Sequence, residues 1–180
     1  MSKLAVIYWS GTGNTEAMAQ AVVEGAREAG ADASLFSVDQ ISAADAAGYD
    51  RLALGCPAMG AEVLEEAEFE PFFTALEGRL GGKRVALFGT AGFGLSEMYF
   101  ASLSDRFRAE VPEENQVLGT WFCPGRMPPA VRARYEAQLK EKPGDARLEN
   151  MLRAYDQALS HPDGTDLADA RAFAAAMLAK

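Results

Sequence analysis

Hydrophobic residues fall in short blocks separated by amphipathic stretches. Residues 3–8 (Lys-Leu-Ala-Val-Ile-Tyr) predict a short buried strand. Residues 14–29 predict a helix: Ala17, Met18, Ala21, Val22 and Ala26 share one face, while Glu16, Gln20, Glu24, Arg27 and Glu28 lie mostly on the other. Gly30 stops it. A weaker strand follows over 33–38, a helical turn over 42–47, and a third strand over 51–56 that ends at Pro57. Phe69, Phe72, Phe73 and Leu76 give a helical face over 69–77. Residues 83–88 form a nearly unbroken apolar strand, as a buried parallel strand should. A helix over 96–110 and a fifth strand over 117–122 complete the alternation. Strands and helices alternating at this spacing predict an α/β fold, a doubly wound five-stranded parallel sheet with helices on both faces. Three more helices are expected at about 129–141, 145–159 and 165–179, separated by Pro143-Gly144 and His161-Pro162-Asp163-Gly164.

A ligand crevice in such a sheet lies at the carboxyl ends of the strands. Three small-residue segments begin there, after strands one, three and four. The first is Ser10-Gly11-Thr12-Gly13-Asn14-Thr15, with two glycines, three hydroxyls and one amide ahead of a helix. Free backbone N–H groups and the helix dipole make that a place for an anion. The loop has no Walker lysine and lacks the third glycine of a dinucleotide fingerprint. No lysine or arginine lies between Leu4 and Arg27, so the expected ligand is a phosphate held by neutral donors. Trp9 reads as a packing residue. The other two segments are Pro57-Ala58-Met59-Gly60-Ala61-Glu62 and Gly89-Thr90-Ala91-Gly92-Phe93-Gly94.

The 180 residues suit one domain, with a core over 1–123 and a helical extension over about 124–180. No run of 18 apolar residues exists, so no membrane span is expected. The start of the chain reads as a strand, not an export signal, and the two cysteines, Cys56 and Cys123, suit a reducing cytoplasm. The formal charge of −9 is uneven: residues 1–123 carry 8 Lys/Arg against 18 Asp/Glu, and residues 124–180 carry 9 against 8. That disfavours nucleic acid and favours a basic protein partner. Cys56 lacks a sequence-near histidine for nucleophilic chemistry. His161 is the one histidine and reads as part of a turn or helix cap. One histidine and two separated cysteines make no metal-ligand cluster.

The stretch Tyr8 to Glu16, followed by Met18-Ala19, resembles the phosphate loop of the flavodoxins, and the other two segments support the match over residues 1–123. The nearest pattern is that of the short-chain flavodoxins. The resemblance implies non-covalently bound FMN, with its monophosphate in the loop over 10–15 and its ring between the segments 57–62 and 89–94. By resemblance, the Met59-Gly60 peptide turns to accept a hydrogen bond when flavin N5 gains a proton, and Gly60 offers no side chain to resist. Met59 is suited to pack on the ring. Phe93 is expected to stack on one ring face, where many relatives place tryptophan or tyrosine. Glu62, Glu65 and Glu66 would bring negative charge near the ring, depress the second reduction potential and steer a basic redox partner.

The function implied is single-electron carriage between redox enzymes, more a carrier than a stand-alone enzyme. Two alternatives stay open: an FMN-dependent reductase of a quinone, haem or other conjugated small molecule, and a flavin-bearing accessory subunit of a dedicated oxidoreductase. The chain after 123 departs from the pattern, since shorter flavodoxins end after one helix there. Cys123-Pro124-Gly125-Arg126-Met127 either lines the outer side of the flavin pocket or is a rigid exit turn.

Overall fold

Residues 4–7 alternate between two hydrophobic layers, and the whole fold follows from that alternation. Leu4 and Val6 join one buried cluster; Ala5 and Ile7 join another. The computed structural model describes residues 3–58, 64–93 and 97–180. Its strands are β1 (Lys3–Tyr8), β2 (Asp32–Ser37), β3 (Arg51–Gly55), β4 (Arg84–Ala91) and β5 (Gln116–Pro124). They form one sheet in the order β2-β1-β3-β4-β5, and every pairing is parallel. The helices among the described residues are α1 (Asn14–Glu28), α2 (Ala43–Ala46), α3 (Phe69–Glu77), α4 (Glu97–Ala109), α5 (Pro129–Glu141), α6 (Ala146–Ala158) and α7 (Gly164–Leu178).

One layer joins Leu4, Val6, Ala53, Ala86 and Phe88 to Met18 and Val22 of α1 and to Ala170, Ala174 and Met177 of α7. The other joins Ala5, Ile7, Leu52, Leu54 and Leu87 to Phe69, Phe73 and Leu76 of α3 and Leu103 and Phe107 of α4. A strand buried on both faces has no polar side to show, which is why residues 4–7 and 52–54 are continuously apolar. The expected doubly wound sheet is therefore present, with additional helices after β5.

β4 runs further than the apolar block suggests. It reaches Ala91 because β5 pairs with it up to Ala91 opposite Pro124, and because the amides of Cys56 and Ala58 donate to the carbonyls of Phe88 (3.1 Å) and Thr90 (2.8 Å). Gly89, Thr90 and Ala91 are thus buried strand residues, not loop.

The helices after β5 play different parts. α7 is core. A Cβ at Gly25 of α1 would sit 2.6 Å from Arg171 Cα, so the two helices touch backbone to backbone. Arg51, buried at the start of β3, donates from one guanidinium nitrogen to the carbonyls of Met177 (2.8 Å) and Leu178 (3.1 Å), satisfying the end of α7. α5, by contrast, has no buried residue and packs on α6 as a hairpin. Arg132 ties the hairpin together, pairing with Asp156 and lying 5.7 Å over the Tyr155 ring.

Candidate functional site

β1 leads to a helix in one layer and β3 to a helix in the other, so the sheet's crossovers reverse between these two neighbours. The chain cannot close over the gap their ends leave, and a ligand can enter there. The loop Ser10-Gly11-Thr12-Gly13 sits at that point. Gly13 has φ +86°, a left-handed conformation that favours glycine, and it begins α1 with no side-chain cap. Its own N–H donates to Ser10 Oγ at 3.1 Å, which folds the loop back on itself. Gly11 leaves room for the Trp9 ring, which an added Cβ would approach to 2.9 Å, so Trp9 packs over the loop as expected. The first-turn carboxylate of Glu16 accepts from the Tyr8 hydroxyl at 3.1 Å. Burial, then that hydrogen bond, pushes the Tyr8 phenol up from its ordinary value. An uncapped helix start behind small exposed residues 11–13 fits a phosphate.

The second and third segments are joined to the first. Thr15 Oγ1 lies 3.2 Å from Thr90 Oγ1, both buried. Thr90 also accepts from Ala58 through its carbonyl, so a single residue links α1, the loop after β3 and the end of β4. Pro57 and Ala58 sit at the mouth, half-buried. Met59, Gly60, Glu62 and Gly94 lie outside the described residues. The space beside Gly89 is taken by the Cys56 carbonyl and the Phe122 ring, and the space over Gly92 by the Met127 side chain. Phe93 is half-buried with its ring 5.5 Å from that of Tyr135, edge to face.

Glu65 is not a solvated acid. It is buried, and its carboxylate accepts from the amides of Ala67 (2.8 Å), Glu68 (2.8 Å) and Phe69 (2.9 Å), capping α3. Burial raises its pKa, but the Phe69, Glu68 and Ala67 donors outweigh that and hold it below its ordinary value. Its amide donates to Cys56 Sγ at 3.4 Å, which ties the two ends of the loop after β3 together. Glu66, Glu68 and Glu70 are exposed. Burial pushes the Cys56 thiol up to about 12 and the Cys123 thiol up as well, which is the opposite of what a nucleophile needs.

The exit from β5 completes the arrangement. Asn14 Nδ2 donates to the Arg126 carbonyl at 2.7 Å, so the loop's one amide side chain is engaged by the chain after β5. A Cβ at Gly125 would lie 2.9 Å from Thr90 Cβ and 3.0 Å from Asn14 Nδ2. His161 lies in the turn before α7, with Nδ1 2.5 Å from Asp166 Oδ2. Asp163 and Asp166 form a capping box there. His161, Asp163 and Asp166 could each offer a ligand atom to one ion, but both carboxylates already accept backbone N–H bonds of that turn. Sequence reasoning overlooked Tyr135 altogether, since only a tertiary contact connects it to Phe93.

A flavodoxin-domain profile matches residues 5–175, nearly the whole chain. The chain belongs to the flavodoxin family. The flavodoxin of Clostridium beijerinckii is 47% identical over 91 residues, covering 51% of this chain and 66% of that protein. The alignment thus spans about two thirds of that relative's length. The flavodoxin-like domain-containing protein BilS of Clostridium symbiosum is 31% identical over 179 residues, covering 92% of this chain and 90% of its own. That likeness takes in most of the chain after β5. The solution structure of two-electron reduced Megasphaera elsdenii flavodoxin superposes with a TM-score of 0.57 at 35% identity, covering 86% of this chain and 98% of that one. The cofactor of this family is FMN, and the residues present fit it: a neutral-donor cradle for the phosphate lies beside the strand ends that would flank the ring. FMN supplies one-electron redox chemistry when bound.

Proposed function

We propose that this flavodoxin carries single electrons on non-covalently bound FMN between redox proteins of the cytoplasm. The observation that carries the reading is the uncapped start of α1, set at the reversal point of the sheet and joined through Thr15 and Thr90 to both strand ends beside it. In this reading Ser10, Gly11, Thr12, Gly13, Asn14 and Thr15 hold the phosphate. Pro57, Ala58, Met59, Gly60 and Glu62 flank the ring on one side; Gly89, Thr90, Ala91, Gly92, Phe93 and Gly94 do so on the other. Thr90 and Gly89 act from within β4 by fixing where the two loops begin.

The chain's own groups do no proton transfer with a substrate carbon. Their work is to bind, to orient and to set the field. Glu66, Glu68 and Glu70, between β3 and the first turn of α3, are exposed and negatively charged. That charge opposes added charge on a nearby ring and attracts a basic partner, and both effects fade with salt. Among the described residues no helix is long and apolar enough to cross a membrane.

One further observation favours the accessory-subunit reading. Likeness to the C. beijerinckii flavodoxin covers half the chain, while likeness to the BilS protein covers almost all of it, hairpin region included. A hairpin retained together with the flavin domain suits docking to one dedicated oxidoreductase.

The test is a coupled assay with FMN-loaded protein. A carrier speeds electron flow from a flavin-containing nicotinamide-dependent reductase to a haem protein, and the gain falls as ionic strength rises. Alone with NADH or NADPH and a quinone, it gives no sustained turnover. Sustained turnover in that minimal mixture would replace the carrier reading with that of a reductase.

A further inference from the structure

The chain leaving β5 touches the flavin-site residues at four places, and each contact is specific. Gly125 fits between Thr90 and Asn14 with no room for a side chain. The Arg126 carbonyl takes the Asn14 amide at 2.7 Å. The Met127 side chain fills the space above Gly92. The Tyr135 ring meets Phe93 at 5.5 Å and 87°.

The same segment is braced from behind. The Arg126 amide donates to the His161 carbonyl at 2.9 Å, in the turn closed by the Asp163–Asp166 capping box. The Arg134 guanidinium lies 5.0 Å over the Tyr135 ring, on the α5 side of the contact. α5 has no buried residue, so its place is not dictated by core packing. Its half-buried Tyr135 is instead spent on Phe93.

We infer that residues 125–135 form an additional wall of the flavin pocket, with Tyr135 as the positioning residue that holds Phe93 against the isoalloxazine ring. This rests on the FMN reading above. An aromatic side chain on a loop is free to turn away from a ligand, and freezing it in advance spares the ligand that ordering cost. An edge-to-face partner supplies the restraint without covering the face that the flavin uses. The wall also keeps water from one flank of the ring, which strengthens the field of the nearby acids.

The test compares wild type with Tyr135→Ala, Tyr135→Phe and Met127→Ala, each as the full chain. Apoprotein is titrated with FMN and, separately, with riboflavin, which has the ring but no phosphate. Tyr135→Ala is expected to weaken both ligands by the same factor, about threefold to tenfold, the range an edge-to-face aromatic contact supports. Tyr135→Phe should restore both. Met127→Ala, which keeps the ring pair, should weaken both in the same sense. In the FMN-loaded Tyr135→Ala protein the lower reduction potential should rise, because admitted water stabilises added negative charge.

Unchanged affinity for both ligands in Tyr135→Ala, with an unchanged potential, overturns the inference. So does a loss confined to FMN, which would place the effect in the phosphate loop. Unfolding of Tyr135→Ala, seen as a lost near-ultraviolet circular dichroism signal, transfers the decision to Met127→Ala, where unchanged affinities overturn it. Wild-type protein that binds neither ligand would instead overturn the FMN reading itself.

Discussion

Thr15 and Thr90 stand 75 residues apart in the chain, yet their hydroxyl oxygens lie 3.2 Å from each other in a buried setting. Thr15 lies in the first turn of α1 and Thr90 near the end of β4, so this contact ties the loop ahead of α1 to the strand end that leads to Phe93. Substituting either threonine by valine keeps the shape and strands the other hydroxyl. Each single change is expected to destabilise the apoprotein by about 1–3 kcal/mol, the usual cost of a buried group left without its partner. Thr15→Val/Thr90→Val together should cost less than the two singles added. Urea unfolding of the three variants checks this; strict additivity would mean the hydroxyls do not interact.

Glu65 should give the protein an acid-sensitive cap. Its folded pKa lies below the unfolded glutamate value of about 4.3, so its contribution is fully present above about pH 5 and is lost as pH falls through the folded value. Glu65→Gln keeps the size and removes the charge. It is expected to be less stable than wild type by about 1–3 kcal/mol at pH 7, and that gap should narrow below pH 4. Unfolding curves at a series of pH values measure it; a gap independent of pH would contradict the charged cap.

Arg51 works at the opposite end of the strands, at the start of the central strand β3. Burial, then its neighbour Arg84, lowers its pKa, but an arginine stays charged and continues to donate to the end of α7. Arg51→Met removes both hydrogen bonds. A loss of about 2–3 kcal/mol is expected, with faster amide exchange in the last turns of α7 and FMN affinity within twofold of wild type. A large loss of FMN affinity would mean that α7 and the pocket are coupled.

Gly125→Val forces a side chain between Thr90 and Asn14, where a Cβ already falls at 2.9 Å and 3.0 Å. FMN affinity should drop at least tenfold while the far-ultraviolet circular dichroism stays that of the parent. Fluorescence titration of the apoprotein reads the first and a spectrum reads the second. Wild-type affinity in this variant would show that the exit of β5 stands clear of the pocket.

Both thiols should be inert in the folded protein. Cys56 is buried with its pKa pushed up to about 12, and Cys123 is buried beside Met18. Labelling by a maleimide at pH 7 is expected only after denaturation. Rapid labelling of folded protein at Cys56 would reopen a chemical role for it.

The sheet and the first loop were legible because local rules decide them. Residues 4–7 are apolar on both faces, Gly13 must take a left-handed turn, and Gly30 ends α1 at φ +88°. The end of β4 was less so, because Gly89, Thr90 and Ala91 have the composition of a loop and become strand only when β3 and β5 pair beside them. Glu65 stood with Glu62 and Glu66 as an acid expected to bring charge near the ring; its burial depends on the amides of Ala67, Glu68 and Phe69, which lead into α3. Periodicity marked α5 and α7 alike as helices. Only tertiary packing separates α7, locked to Gly25 and Arg51, from α5, which reaches Phe93 through Tyr135.

If this chain tunes FMN for one-electron carriage, an anaerobic reductive titration of the FMN-loaded protein, followed by absorbance against a set of redox dyes, will show reduction in two one-electron steps, the second at clearly lower potential than the first. Reduction in a single two-electron step would contradict it.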